Sequence, residues 1–156
     1  MRVAVFSHGH PLYSPGGGEH AAYALFQALE AQGDCAASFW AAAPTGLLDA
    51  GEQIRCLKPE REFLLRRGDD PLLLHSAVQL CDHSPVAVQL RLWRPDVIHA
   101  HHVLGIGLDF FWALKRWFPD VPIVYTLHEF LLLCPYHGQF LRRDGAICDE
   151  PDLIMC

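Results

Sequence analysis

The chain has 156 residues, 51% of them hydrophobic and 19% charged, and its formal net charge at pH 7 is −6 with histidine neutral. This length predicts one domain with a substantial core, and the negative charge excludes a global basic surface for nucleic acid. No apolar run approaches the ~18 residues of a membrane-spanning helix, and no signal-peptide pattern opens the chain. We therefore expect a cytoplasmic protein, either free or peripheral at the inner face of the membrane.

Apolar strands and amphipathic helices alternate along the chain. Strands are predicted at residues 2–6, 36–42, 53–57, 96–102 and 121–127. Helices are predicted at residues 19–32, at 60–67 as one or two turns, at 71–93 with a break or kink at Pro85, and at 105–118. Such alternation predicts an α/β fold with a Rossmann-like, doubly wound parallel sheet and right-handed crossovers.

Histidines follow three of the predicted strands. Parallel strands present their carboxyl ends at one edge of the sheet, where open α/β folds bind ligands. These side chains are therefore candidates for general bases, hydrogen-bond donors or metal ligands, although a purely structural role is equally compatible with the pattern. The histidines concerned are His8, His10, His99, His101, His102 and His128.

Three consecutive glycines, Gly16, Gly17 and Gly18, separate the first strand from the first helix. Glycines in that place let backbone N–H groups approach a phosphate or sugar oxygen at a helix N-terminus. The dinucleotide fingerprint GxGxxG is absent, so a nicotinamide cofactor is not favoured. The alternative is a flexible loop that binds nothing.

Residues 1–128 are predicted to form the Rossmann-like part of the domain, and residues 129–156 a tail of the same domain. The tail has a loop-like composition and carries three of the six cysteines, Cys134, Cys148 and Cys156. Their spacings are too long for a CxxC zinc knuckle. The cysteines are therefore either reduced thiols or part of a metal or redox cluster, holding structural zinc or iron, with a fourth ligand beyond Cys156. The tail ends where an α/β domain would need another helix, which suggests a fragment.

Four motifs in this order resemble the N-terminal domain of GT-B glycosyltransferases of family 4, the retaining group 1 type. They are the strand at 2–6, the loop at 16–19 (GGGE), the run at 94–101 (RPDVIHAH) and the run at 124–129 (VYTLHE). The tail runs at 131–135 (LLLCP) and 144–148 (DGAIC) also resemble a subgroup of that family with a cysteine-bearing segment.

The resemblance implies a retaining hexosyltransferase, of the kind that builds cell-envelope polysaccharides, whose second, donor-binding domain is absent from this chain. Gly16 and Gly17, with Gly18 beside them, match the loop that lies against the donor diphosphate. His128 matches the histidine next to the reacting sugar, and Glu129 stands where the family usually has Asp. No cofactor is implied for catalysis, and this part of the enzyme alone is expected to be inactive.

The implied partners are a nucleotide-sugar donor and a glycan, lipid-linked or small-molecule acceptor. His99 and His101 match the strand end below the acceptor pocket. The surface where a second domain would dock could also lead to self-association. Two other interpretations stay open: a stand-alone flavodoxin-like module that binds a phosphate or nucleotide, and a metal-binding domain built on the tail cysteines.

Overall fold

A computed structural model describes residues 1–70, 74–102, 104–128, 130, 133–134, 138–142 and 144–148. By its internal contacts the chain forms two compact units, Met1–Thr126 and Leu127–Cys156. The first unit contains the sheet and its helices. The second contains the described residues of the tail.

The first unit is built on a six-stranded sheet with the order β3-β4-β2-β1-β5-β6. All neighbouring strands run parallel except the edge pair β3 and β4, which is antiparallel. This confirms the Rossmann-like α/β fold, with one antiparallel strand added at an edge. The strands are β1 (Arg2–Ser7), β2 (Ala36–Ala42), β3 (Ile54–Lys58), β4 (Glu62–Leu65), β5 (Val97–Ala100) and β6 (Ile123–Tyr125).

Three helices occur in the described part of this unit: α1 (Gly17–Ala31), α2 (Pro85–Trp93) and α3 (Leu108–Trp117). These helices lie on both faces of the sheet. Successive side chains of a strand point to opposite faces, so alternate residues of β1 belong to two different hydrophobic clusters. On one face Val3 and Val5 of β1 belong to the same hydrophobic cluster as Phe26 of α1. On the other face Ala4 and Phe6 belong to a cluster that includes residues of α2 and α3. No described helix has the length and hydropathy needed to cross a bilayer.

The prediction of helical turns at 60–67 is wrong, because residues Glu62–Leu65 form strand β4. All four residues are buried, and β4 pairs with β2 on one side and β3 on the other. A short, fully buried strand has no alternating pattern that would distinguish it from a helix segment.

The prediction of helix across 71–93 is also wrong over residues 74–84, which the structure describes without a helix. Helix α2 begins at Pro85, with Ser84 as its N-cap: the Ser84 hydroxyl accepts a hydrogen bond from the Ala87 N–H at 3.2 Å. Proline is favoured at the first helical position because its missing N–H would have no partner there. Pro85 therefore starts a helix and does not kink one.

Candidate functional site

Strands β1 and β5 lie side by side and bring two histidine-bearing segments together. Phe6 is aligned with Ala100, and the His101 N–H donates to the Phe6 carbonyl at 2.9 Å. The turn after β1 and the turn after β5 therefore leave the same edge of the sheet from adjacent positions.

The histidines at this edge form two ring pairs. The rings of His8 and His102 have centroids 4.4 Å apart, and those of His99 and His101 are stacked at 4.6 Å. His101 and His102 are buried, and His99 Nε2 lies 2.8 Å from the Thr126 hydroxyl at the end of β6. The structure thus brings together four of the six predicted histidines, and all four contact other polar or aromatic groups.

The glycine loop leads directly into helix α1. Gly16 is the N-cap and makes no side-chain hydrogen bond to the helix, and Gly17 is the first helical residue. The helix therefore starts two residues earlier than predicted, with Gly17 and Gly18 in its first turn. Gly17 is exposed, and a Cβ added to it would meet no described atom within 4 Å. The first N–H groups of a helix lack intrahelical acceptors, so this loop offers donors to a ligand.

The side chain of Glu19, in the first turn of α1, contacts both the glycine loop and the end of β1. The Glu19 side chain is buried, accepts a hydrogen bond from the Ser14 hydroxyl at 2.9 Å and lies 3.1 Å from His8 Nε2. A Cβ on Gly16 would overlap the Glu19 carboxylate. Glu19 thereby connects the glycine loop to the histidine pair at the end of β1.

His10 does not join the other histidines but anchors the same loop on the α1 side of the sheet. Its fully buried ring places Nε2 3.2 Å from Glu62 Oε2 in β4. Glu62 also accepts hydrogen bonds from the Tyr23 hydroxyl at 3.0 Å and from Lys58 Nζ at 2.6 Å. The Leu12 N–H donates to His10 Nδ1 at 3.2 Å.

These contacts fix the protonation of the buried pair. Because the Leu12 N–H can only donate, Nδ1 of His10 must accept, and the ring proton then sits on Nε2 and points to Glu62. Burial lowers the pKa of His10 more than Glu62 raises it. Burial also pushes the pKa of Glu62 upward, but hydrogen bonds from Lys58, His10 and Tyr23 outweigh it and the pKa is lowered. The pair is therefore a neutral histidine donating to a carboxylate.

Two further polar groups at the carboxyl ends of the strands have no hydrogen-bond partner among the described residues. They are the buried Ser7 hydroxyl at the end of β1 and the Arg67 Nε after β4. The Arg67 side chain reaches the loop after β5, where a Cβ on Gly105 would lie 3.2 Å from it. Gly105 has φ +70°, a left-handed conformation that favours glycine. Sequence reasoning missed Arg67 because nothing in its local pattern places it beside residue 105.

The remaining predicted site residues belong to the second unit. His128 is exposed there, and Cys134 and Cys148 are buried. Glu129 and Cys156 lie outside the described residues. Within the described ranges, no group of three or more His, Cys, Asp or Glu side chains is arranged to hold a metal ion.

A parallel sheet with a glycine loop opening the first helix and histidines at the neighbouring strand ends can bind a phosphate-bearing ligand beside general bases. The chain matches the family described as Glycosyltransferase Family 4 over residues 15–156. No curated protein matches it. The matched range contains α1 and every later element of the fold, so the chain belongs to glycosyltransferase family 4.

Proposed function

We propose that the protein takes part in transferring a hexosyl group from a nucleotide-sugar to an acceptor hydroxyl with retention of anomeric configuration. One observation carries the proposal. Helix α1 begins at the glycine loop, without a side-chain cap at Gly16. The Glu19 carboxylate links this loop to His8, whose ring packs against that of His102. The loop thus combines backbone N–H donors with imidazole groups, which suits a diphosphate next to a sugar.

The chemistry required of this loop is electrostatic. When a nucleoside diphosphate leaves, negative charge develops on its terminal phosphate, and preorganised N–H donors stabilise that charge. The open space at Gly17 lets a phosphate approach the backbone without a side chain in the way. We assign the donor diphosphate to Gly16, Gly17 and Gly18 on this basis and by the family resemblance.

The acceptor is assigned to the strand ends beside the loop. His99 is half-buried, stacks on the buried His101 and contacts the Thr126 hydroxyl, so the imidazole of His99 and the hydroxyl of Thr126 suit hydrogen bonds to sugar hydroxyls. Arg67 supplies a cation at the same ends of the strands, which favours an acceptor that carries a phosphate or carboxylate. Glu129 stays assigned to the acceptor side from the sequence alone.

His128 is proposed to orient the reacting sugar by hydrogen bonds to its hydroxyls. Replacement by alanine in the full-length natural protein should lower kcat by about a hundredfold or more, because a misplaced reacting centre loses at least that much. The measurement is the release of nucleoside diphosphate in the presence of donor and acceptor. The circular dichroism spectrum should be unchanged, since His128 is exposed.

His83→Ala is the matched control, because His83 is also exposed but is not one of the histidines that follow the strands. It should retain the turnover of the unmodified protein. Unmodified turnover in His128→Ala would remove His128 from the site.

A further inference from the structure

Helix α3 carries a tryptophan on the side that faces solvent. The Trp112 side chain is 75% exposed, whereas Phe110 and Leu114 of the same helix are fully buried against the sheet. Leu108, the first residue of the helix, is 39% exposed. Contiguous exposed apolar side chains are typical of surfaces that bind another molecule.

Two mainly apolar grooves share Trp112 and Leu108 as a wall. The first has a volume of about 300 Å³ and lies between α3 and β6. The second has a volume of about 270 Å³ and lies between α3 and the segment at 74–75. We call the surface around the first groove the Trp112 face; it consists of Leu108, Phe111, Trp112, Lys115 and Ile123.

The Trp112 face is complementary to itself. It presents a protruding indole ring, and directly beside that ring it has a groove of about 300 Å³, roughly the volume of ten water molecules and therefore enough for an indole. A two-fold axis brings the same patch of two copies into contact, so that each copy can insert its protruding group into the groove of the other. A second copy of this chain thus supplies both the ring and the groove that the face requires.

The charges beside Trp112 favour one orientation of the two copies. Asp109 comes three residues before Trp112 and Lys115 three residues after it. If two α3 helices pack antiparallel about a two-fold axis at Trp112, each Asp109 lies at the level of the Lys115 of the other copy, and opposite charges set the orientation of an interface.

Both charged groups keep capacity for such a contact. The Lys115 ammonium donates to two carbonyls beyond the helix, at 2.7 and 3.2 Å, which leaves one of its three donors. One oxygen of the Asp109 carboxylate accepts the Ser76 N–H at 2.8 Å, and a carboxylate has about four acceptor sites.

Strand β6, beside the face, offers a second contact. It pairs with β5 on one side, and no described strand pairs with its other side. An open strand edge is a place where another chain can add, and a two-fold axis presents two such edges to each other in antiparallel directions. A membrane fits this region less well, because one acid and one base border the face, whereas anionic lipids attract clusters of basic residues.

We propose that two copies of the protein associate through the Trp112 face about a two-fold axis, with the α3 helices antiparallel. The indole of each Trp112 then fills the groove between α3 and β6 of the other copy. This inference does not depend on the proposed sugar transfer.

Sedimentation equilibrium of the full-length natural protein over a series of concentrations tests the association. The unmodified protein should sediment as a dimer. Trp112→Ala should raise the dissociation constant of the dimer about thirtyfold or more, as is typical for loss of a central tryptophan from an interface. Leu92→Ala is the matched control, because Leu92 is 69% exposed on α2 and should leave the dissociation constant unchanged.

Cross-linking of the unmodified protein tests the orientation without any substitution. A carbodiimide joins a carboxylate directly to an amine, and an equal mixture of ¹⁵N-labelled and unlabelled protein distinguishes links between copies from links within one. Mass spectrometry should find Asp109 joined to Lys115 of the other copy. Links between copies that avoid α3 would overturn the proposal.

Three results of the sedimentation experiment would also overturn the proposal. The first is a protein that stays monomeric at every concentration. The second is a Trp112→Ala dimer with the dissociation constant of the unmodified protein. The third is a monomeric full-length protein of which residues 1–156 alone dimerise, because it would show that another part of the natural chain covers the Trp112 face.

Discussion

At the scale of single residues, the neighbouring glycines Gly16 and Gly17 have different surroundings and therefore different roles. Gly16 lies against the Glu19 carboxylate, whereas Gly17 faces open space. Gly16 has φ −141°, which any residue can adopt, so only the contact with Glu19 requires a glycine there. The two positions therefore separate the stability of the loop from its binding role.

Alanine substitutions should separate the two roles. Gly16→Ala should lower the free energy of unfolding by about 1–3 kcal/mol, because its methyl group overlaps Glu19. Gly17→Ala should leave the free energy of unfolding unchanged or raise it by up to about 1 kcal/mol, since alanine favours helix. If the donor diphosphate lies against Gly17, the same methyl group should raise the donor KM by about tenfold.

Urea unfolding and steady-state kinetics on the full-length protein provide the two measurements. An unchanged donor KM in a stable Gly17→Ala variant would place the diphosphate elsewhere. An unchanged unfolding free energy in Gly16→Ala would show that Glu19 can move aside.

At the scale of elements, the buried pair His10 and Glu62 ties the loop after β1 to strand β4, and it should make stability depend on pH. The pKa of His10 is lowered in the folded state. Below an ordinary histidine pKa of about 6.5, the unfolded chain therefore binds a proton that the folded chain does not. Stability should fall as the pH drops through this range, until the folded histidine also protonates.

The measurement is urea unfolding at about pH 7.5 and about pH 5.5, on either side of the ordinary histidine pKa. His10→Gln can still donate to Glu62 but cannot titrate, so its loss of stability between the two pH values should be smaller. Glu62 titrates in a lower range, because its pKa is lowered from the ordinary carboxyl value. An equal loss in the variant and the unmodified protein would exclude His10 as the source.

The elements also show which parts of the fold the sequence predicts and which it does not. Strands β1, β2 and β5 and helix α1 were predictable, because long apolar runs and one amphipathic face specify them. Strand β4 was not, since Glu62 reads as a surface residue and is buried only because Tyr23, Lys58 and His10 reach it from elsewhere. The start of α2 was readable in principle from the sequence Ser84-Pro85.

The candidate site shows the same limit. The gathering of histidines at one edge followed from the order of strands, and the structure brings His8, His99, His101 and His102 together. The separate role of His10 depends on a partner 52 positions away in the sequence, and the approach of Arg67 to Gly105 depends on the fold. Contacts between residues this far apart in the sequence leave no pattern in the neighbouring residues from which they could be predicted.

At the scale of the whole molecule, the chain is a family 4 glycosyltransferase domain that brings a glycine loop and four histidines to the carboxyl ends of its parallel strands. We expect the donor nucleotide to be held mainly by a second domain of the natural protein, as the family resemblance implies. The choice of donor sugar would then depend on that domain, and the acceptor on the strand ends around His99, His101 and Arg67.

The most direct measurement is sugar transfer by the full-length natural protein, with a panel of nucleotide-sugars and hydroxyl acceptors, followed by nuclear magnetic resonance of the product. The account predicts release of one nucleoside diphosphate per sugar transferred, and a product with the anomeric configuration of the donor. An inverted product would contradict retention. Failure of the folded full-length protein to bind or use any nucleotide-sugar would contradict the proposed donor site.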